Sequence, residues 1–238
     1  MGDTGGVKHR LLLVAVLLAS VTACNDTKKP AADTKLSYHG VETQDPQPSR
    51  PEFVLTDTSG KKYDFQKETA GRPTYVYFGY THCPDECPTA MSDVATALRK
   101  VAKDEADKAV VVFITTDPKR DTAPELRRFL DQFSTKIVGL LGTQAELDAA
   151  QTASGVKLAS VGAPIPTVPG HPDQHLSEAG TAPHKHFGEA LGYSVTHSAV
   201  ILAYDADDRL PVLYPGGVTV SDIANDLPLL IDPARATS

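Results

Sequence analysis

Two runs without a charged side chain, Thr74-Tyr75-Val76-Tyr77-Phe78-Gly79 and Ala109 to Thr116, set the strongest limit on what this chain can fold into. Unbroken β-branched and aromatic runs suit strands buried on both faces, not edge strands with one wet side. Between them Met91, Val94, Ala95, Leu98, Val101 and Ala102 recur at three- and four-residue spacing, which predicts an amphipathic helix ending in Lys103-Asp104-Glu105. Strand, helix and strand with both strands buried imply a parallel pair covered by helices.

The flanking segments extend that unit. Phe53 to Asp57 and Lys62 to Phe65 enclose Ser59-Gly60, a hairpin signal. Leu126, Phe129, Leu130 and Phe133 share a face from about Thr122 to Phe133, and Thr122-x-x-Glu125 has the capping-box pattern. Ile137 to Leu141 reads as a further strand and Gln144 to Thr152 as a helix. Val195 to Tyr204 and Leu210 to Tyr214 read as an antiparallel pair joined by Asp205-Ala206-Asp207-Asp208, and Val220 to Ile231 as a closing helix. Alternating βαβ units feeding a terminal ββα give an α/β class in thioredoxin-like order. To this are added an N-terminal β-hairpin and an inserted Pro-, Gly- and His-containing loop from Gly162 to Gly192.

The N-terminus reads as an address. Lys8 and Arg10 precede the apolar or small run Leu11 to Ala23, too short for the roughly 20 residues of a spanning helix. Val21-Thr22-Ala23-Cys24 resembles a bacterial lipobox, so residues 1–23 are expected to be a lipoprotein signal peptide and Cys24 the acylated mature terminus. That places the protein on the extracytoplasmic face of the cell membrane, held by lipid. Residues 24–51, rich in Asp, Thr, Lys, Pro and Gln, read as a flexible tether, and 52–233 as the folded domain. The formal charge of -7 and the absence of Trp argue against a nucleic-acid surface.

With Cys24 assigned to lipid, Cys83 and Cys87 are the remaining cysteines and are read as a pair. A structural disulfide gains by closing a long loop, and this loop is short. Tyr80-Thr81-His82-Cys83-Pro84-Asp85-Glu86-Cys87-Pro88 lies where a central strand hands over to a helix, the crevice where open α/β sheets bind ligands. Pro88 suits the first helical turn, which places Cys87 near the helix start. The positive helix end is expected to lower both thiol pKa values. Two thiolates suit Cu(I), and one imidazole can complete a three-coordinate site, whereas Zn(II) usually takes four ligands. His82 adjoins Cys83 in a loop, where its side chain would point elsewhere. His197, at the entrance of Ala199-Val200-Ile201-Leu202, is the better nitrogen ligand, although a lone histidine there is more often a packing residue.

Three segments stand out together: Tyr77-Phe78-Gly79-Tyr80-Thr81-x-Cys83-Pro84-x-x-Cys87-Pro88, Asp117-Pro118-x-Arg120-Asp121-Thr122, and Tyr193-x-Val195-x-His197-Ser198. In this order, within a match from Phe53 to about Ile231, they resemble the Sco/SenC family, copper-binding assembly factors for cytochrome c oxidase. The resemblance implies that Cys83, Cys87 and His197 bind copper, as Cu(I) with Cu(II) also open. It also implies a metallochaperone whose recipient is the oxidase copper-site subunit. Another copper chaperone as donor and a thioredoxin-like reductant are the further partners that would fit.

Some alternatives stay open. Asp117, at the end of a neighbouring strand, could tune the site from outside the ligand set. Asp121 or Thr122 could simply cap the next helix. Asp85 and Glu86 could stay solvated or meet a basic patch on the recipient. His171, His175, His184 and His186 in the Gly162–Gly192 loop could form a weak second metal site or bind nothing specific. In function, a thiol-disulfide oxidoreductase would use Cys83 and Cys87 as its redox pair, against which stand the CxxxC spacing and His197. The same pair could report on envelope redox state. A peroxiredoxin would need Thr-x-x-Cys, whereas this chain has Thr81-His82-Cys83.

Overall fold

A computed structural model of the chain describes Gly2, residues 36–164 and residues 193–236. The expected leader 1–23, Cys24, the first part of the tether, and His171, His175, His184 and His186 lie outside the described residues. Among the described residues no helix is long and apolar enough to cross a membrane.

The elements run β1 (Val41–Glu42), β2 (Val54–Asp57), β3 (Lys62–Asp64), α1 (Phe65–Thr69), β4 (Thr74–Gly79), α2 (Glu86–Lys100), α3 (Lys103–Ala106) and β5 (Val110–Thr115). There follow α4 (Ala123–Leu130), β6 (Val138–Leu141), α5 (Gln144–Ala153), β7 (Ser160–Pro164), β8 (Tyr193–Thr196), β9 (Val200–Tyr204), β10 (Val212–Pro215) and α6 (Val220–Ile231). One eight-stranded sheet has the order β1-β10-β9-β4-β5-β6-β2-β3, and β7 and β8 form a separate two-stranded sheet. β4 runs parallel to β5 with Tyr77 opposite Phe113, and antiparallel to β9 with Tyr77 opposite Ile201.

The two charge-free runs become β4 and β5, fully buried along their length. Side chains alternate across the pleat, so Tyr75, Tyr77, Val111 and Phe113 face a core shared with α2, α4 and α6. Val76, Phe78, Val112 and Ile114 face the opposite core, with Phe65 of α1 and Leu147 of α5. Helices therefore cover both faces, and the fold is thioredoxin-like with the hairpin β2–β3 added beside β6. Thr122 and Glu125 make the expected reciprocal cap of α4, and Thr143 with Glu146 does the same for α5.

Two expectations need correction. The stretch Val195 to Tyr204 is not one strand: β8 pairs with β7, the chain leaves regular pairing at His197 to Ala199, and β9 joins the main sheet. Residues 36–51, read as the later part of a tether, pack on the domain. β1 pairs with β10, and the buried Asp226 carboxylate accepts from the His39 and Gly40 N–H groups at 2.8 and 3.1 Å. Arg50 is 2 % exposed. Few apolar side chains are needed because this segment is held through backbone groups and two buried charges, which composition does not register.

Candidate metal centre

β4 ends at Gly79, and the loop to α2 is tightened by the Cys83 N–H donating to the Tyr80 carbonyl at 3.2 Å. α2 begins at Glu86, so Cys87 and Pro88 fall in its first turn, where a missing proline N–H leaves no broken bond. Cys87 is fully buried and Cys83 half-buried. The Cys87 N–H donates to Cys83 Sγ at 3.3 Å, while Cys87 Sγ lies 3.4 Å from His197 Nε2. One donor atom from each of Cys83, Cys87 and His197 falls within 4.8 Å of the other two. The His197 ring stands edge-on to Tyr77 and Tyr80, at centroid distances of 5.8 and 5.6 Å.

The two thiols are not equivalent. The Cys83 thiol is lowered to about 4, first by its hydrogen bond with Cys87, with smaller help from His197 and from the backbone N–H groups of Cys87 and Asp85. The Cys87 thiol is raised, first by burial and then by Cys83. The expectation that the helix end lowers both is therefore corrected. A second thiolate beside the first, in a buried place, would add repulsion and desolvation that the helix start cannot offset, so the pair keeps one proton.

Gly79 makes room for this pair. A Cβ at that position would lie 2.9 Å from Cys87 Sγ and 2.8 Å from the Tyr77 ring. Gly79→Ala is expected to cost about 1–3 kcal/mol of stability as an overpacking change. Because the pressure falls on the sulfur, thiol alkylation rates should change as well. Urea unfolding together with alkylation kinetics checks both.

The Asp117 to Thr122 segment divides its roles. Of the two residues that could cap α4, Thr122 does so, as its capping-box pattern indicates. Asp121 is buried and grips the cysteine loop: its carboxylate accepts from Thr81 N–H at 3.1 Å, Thr81 Oγ1 at 2.6 Å and Thr115 Oγ1 at 2.6 Å. Burial raises its pKa despite those bonds. Asp117, also buried, pairs with Arg120 Nε and accepts from the Tyr193 hydroxyl at 2.9 Å. Among the described contacts none joins Asp117 to either cysteine or to His197. His82 Nδ1 lies 3.0 Å from Thr81 Oγ1 and outside the Cys-Cys-His group, and Asp85 and Glu86 are exposed. Sequence reasoning overlooked Thr81, Thr115, Arg120 and Tyr193 as contributors. The available signal was a cluster of charges directly after a fully apolar strand, where charges must be paired.

A profile of the SCO1/SenC family matches residues 41–232. Protein SenC of Rhodobacter capsulatus is 33 % identical over 140 residues, covering 59 % of this chain and 60 % of SenC. Protein SCO1 homolog 1, mitochondrial, of Arabidopsis thaliana is 37 % identical over 95 residues, covering 40 % of this chain and 28 % of that protein. The chain thus spans less than two thirds of either relative's length. Among solved structures, Bradyrhizobium japonicum ScoI with copper bound is 32 % identical with a TM-score of 0.57, the overlap covering 76 % of this chain and 98 % of that structure. With the profile running from β1 through the end of α6, the chain belongs to the SCO1/SenC family.

Proposed function

We propose that this protein holds Cu(I) through Cys83, Cys87 and His197 and passes it to the copper-site subunit of cytochrome c oxidase during assembly. The observation that carries the reading is the convergence of two sulfurs and one imidazole nitrogen within 4.8 Å. That donor set fits copper: soft sulfur and imidazole at low coordination number suit Cu(I), and among the described residues the group has three members, one fewer than a closed zinc site takes. The copper-bound ScoI structure supports it by similarity. On this reading Cys24 carries the lipid that keeps the domain at the outer membrane face, within reach of a membrane-bound recipient. A second copper chaperone or a thioredoxin-like reductant would reload it.

Titration of the reduced protein with Cu(I) against a competing chelator tests the site. One equivalent should bind, Cys83→Ser and Cys87→Ser should abolish tight binding, and His197→Ala should weaken it by at least the about 10–100-fold seen for changes around metal sites. Unchanged affinity in His197→Ala would remove the three-ligand site. The thiols add a pH dependence. Cys83 is already a thiolate above about pH 4, whereas Cys87 must lose its proton to ligate. Each Cu(I) therefore releases one proton, and affinity should rise about tenfold per pH unit between pH 7 and 9.

The unequal thiols also favour a second reading, reduction of the oxidase copper-site cysteines, with the Cys83 thiolate attacking a partner disulfide and Cys87 resolving the mixed disulfide. Mixing the copper-free, reduced protein with an oxidised recipient and trapping the mixed disulfide separates the readings. In a parallel mixture of copper-loaded protein with a reduced recipient, transfer of metal with no mixed disulfide supports delivery.

A further inference from the structure

His197 and the cysteine pair reach one point from different sheets. The cysteines follow β4 of the main sheet, whereas His197 follows β8, whose hydrogen-bonded strand neighbour is β7 in the small sheet. On its other side His197 is separated from β9, which pairs with β4, by Ser198 and Ala199 outside regular pairing, so the ladder of the main sheet sets the distance between sulfur and imidazole only in part. The turn between β5 and α4 touches both sides. From one end, Asp121 takes two hydrogen bonds from Thr81 and anchors itself to Thr115 on β5. From the other, Arg120 Nη1 donates to the Tyr193 carbonyl at 3.0 Å, and its guanidinium lies 3.8 Å from the Tyr193 ring centroid. Asp117 pairs with that guanidinium and accepts from the Tyr193 hydroxyl. Tyr80 fills the space between: its ring lies 5.5 Å from the Arg120 guanidinium and 5.6 Å from the His197 ring.

We propose that Asp117, Arg120 and Asp121 form a two-armed positioning element, one arm setting the cysteine loop and the other setting β8, so that His197 meets the sulfurs in register. The assignment of a metal-holding role to that register rests on the function proposed above; the positioning does not. A planar guanidinium is suited to the β8 arm because it stacks on one ring and forks to a carboxylate and a carbonyl at once, which a lysine ammonium cannot reproduce. Both arms are buried, so each bond is made in a medium where it holds geometry firmly.

The two arms are separable. Tyr193→Phe deletes one hydroxyl bond to Asp117 and little else, and Arg120→Lys keeps the charge while removing the fork. Both should shift the His197 ring resonances of the metal-free protein by NMR and weaken Cu(I) binding about 10–100-fold. The Thr81 and Cys83 amide resonances should change much less in Tyr193→Phe. Asp121→Asn should do the reverse, moving the Thr81 and Cys83 amide resonances while those of Tyr193 and Val195 stay in place. Wild-type His197 resonances in Tyr193→Phe and in a folded Arg120→Lys would overturn the proposal, whatever the effect on melting temperature. If the wild-type protein fails to bind Cu(I), the ligand reading fails, and the metal-free resonances still decide the positioning.

Discussion

Replacing Arg50 by Met is expected to destabilise the fold by about 3–5 kcal/mol, the range for breaking a buried charge network from one side. The guanidinium donates to Asp208 Oδ1 at 2.8 Å, Thr69 Oγ1 at 2.9 Å, and the carbonyls of Arg72 and Asp205, both at 2.9 Å. It also lies over the Phe65 and Tyr204 rings. Met preserves much of the aliphatic bulk but leaves the buried Asp205 carbonyl and the partly buried Arg72 carbonyl without this donor, and that orphaning carries most of the effect. Asp208→Ala should cost less, since the Asp208 side chain is 41 % exposed and its loss leaves Arg50 three other acceptors. Urea unfolding followed by far-UV circular dichroism measures both. A loss below about 1 kcal/mol for Arg50→Met would mean that residues 36–51 are held mainly by their backbone bonds.

In the metal-free, reduced protein, alkylation of Cys83 is expected to be nearly flat from pH 6 to 8. An ordinary thiol, with a pKa near 8.5, would accelerate by roughly a hundredfold over the same range. The cause is the thiolate held by Cys87 and the α2 start, with a pKa of about 4. The same group contributes to stability with a definite sign. Its folded pKa lies below the unfolded value, so its contribution is complete above the unfolded pKa, shrinks as pH falls, and is gone below about pH 4. Cys87 acts oppositely: held as a thiol by burial, it favours the fold until the unfolded thiol ionises, and opposes it in more alkaline solution. Iodoacetamide kinetics with mass mapping test the first part. A rate at Cys83 that climbs tenfold per pH unit would show that the proton resides there and not on Cys87.

Much of the scaffold is written locally. The apolar runs of β4 and β5, the three-four periodicity of α2 and the Thr122–Glu125 box each involve neighbours in sequence, and α6 spans Val220–Ile231 as its pattern indicates. The cysteine pair was legible for the same reason, since its chemistry and its strand-to-helix position sit within nine residues. What sequence reading lost depends on distant partners. Arg50 reads as part of a polar tether until Asp205 and Asp208 are seen around it, and Asp121 reads as a cap until Thr81 is found 40 residues earlier. The break at His197 is hidden because Val195 to Tyr204 is a plausible strand, and β7 arrives from across the Gly162–Gly192 segment. The opposite behaviour of two cysteines four residues apart needed burial, which spacing does not carry.

His197 and Cys87 stand 110 residues apart in the chain. On the proposed ligand set a metal seated between them would be a reversible cross-link that closes a long loop, and the unfolded chain would lose more freedom to such a clip than to one across the four residues of the cysteine pair alone. Loading and folding are thereby linked: each tenfold excess of free metal over the dissociation constant adds about 1.4 kcal/mol of resistance to unfolding. A loaded molecule would be the sturdier one, and without metal His197, just past the small sheet, is held by protein contacts alone.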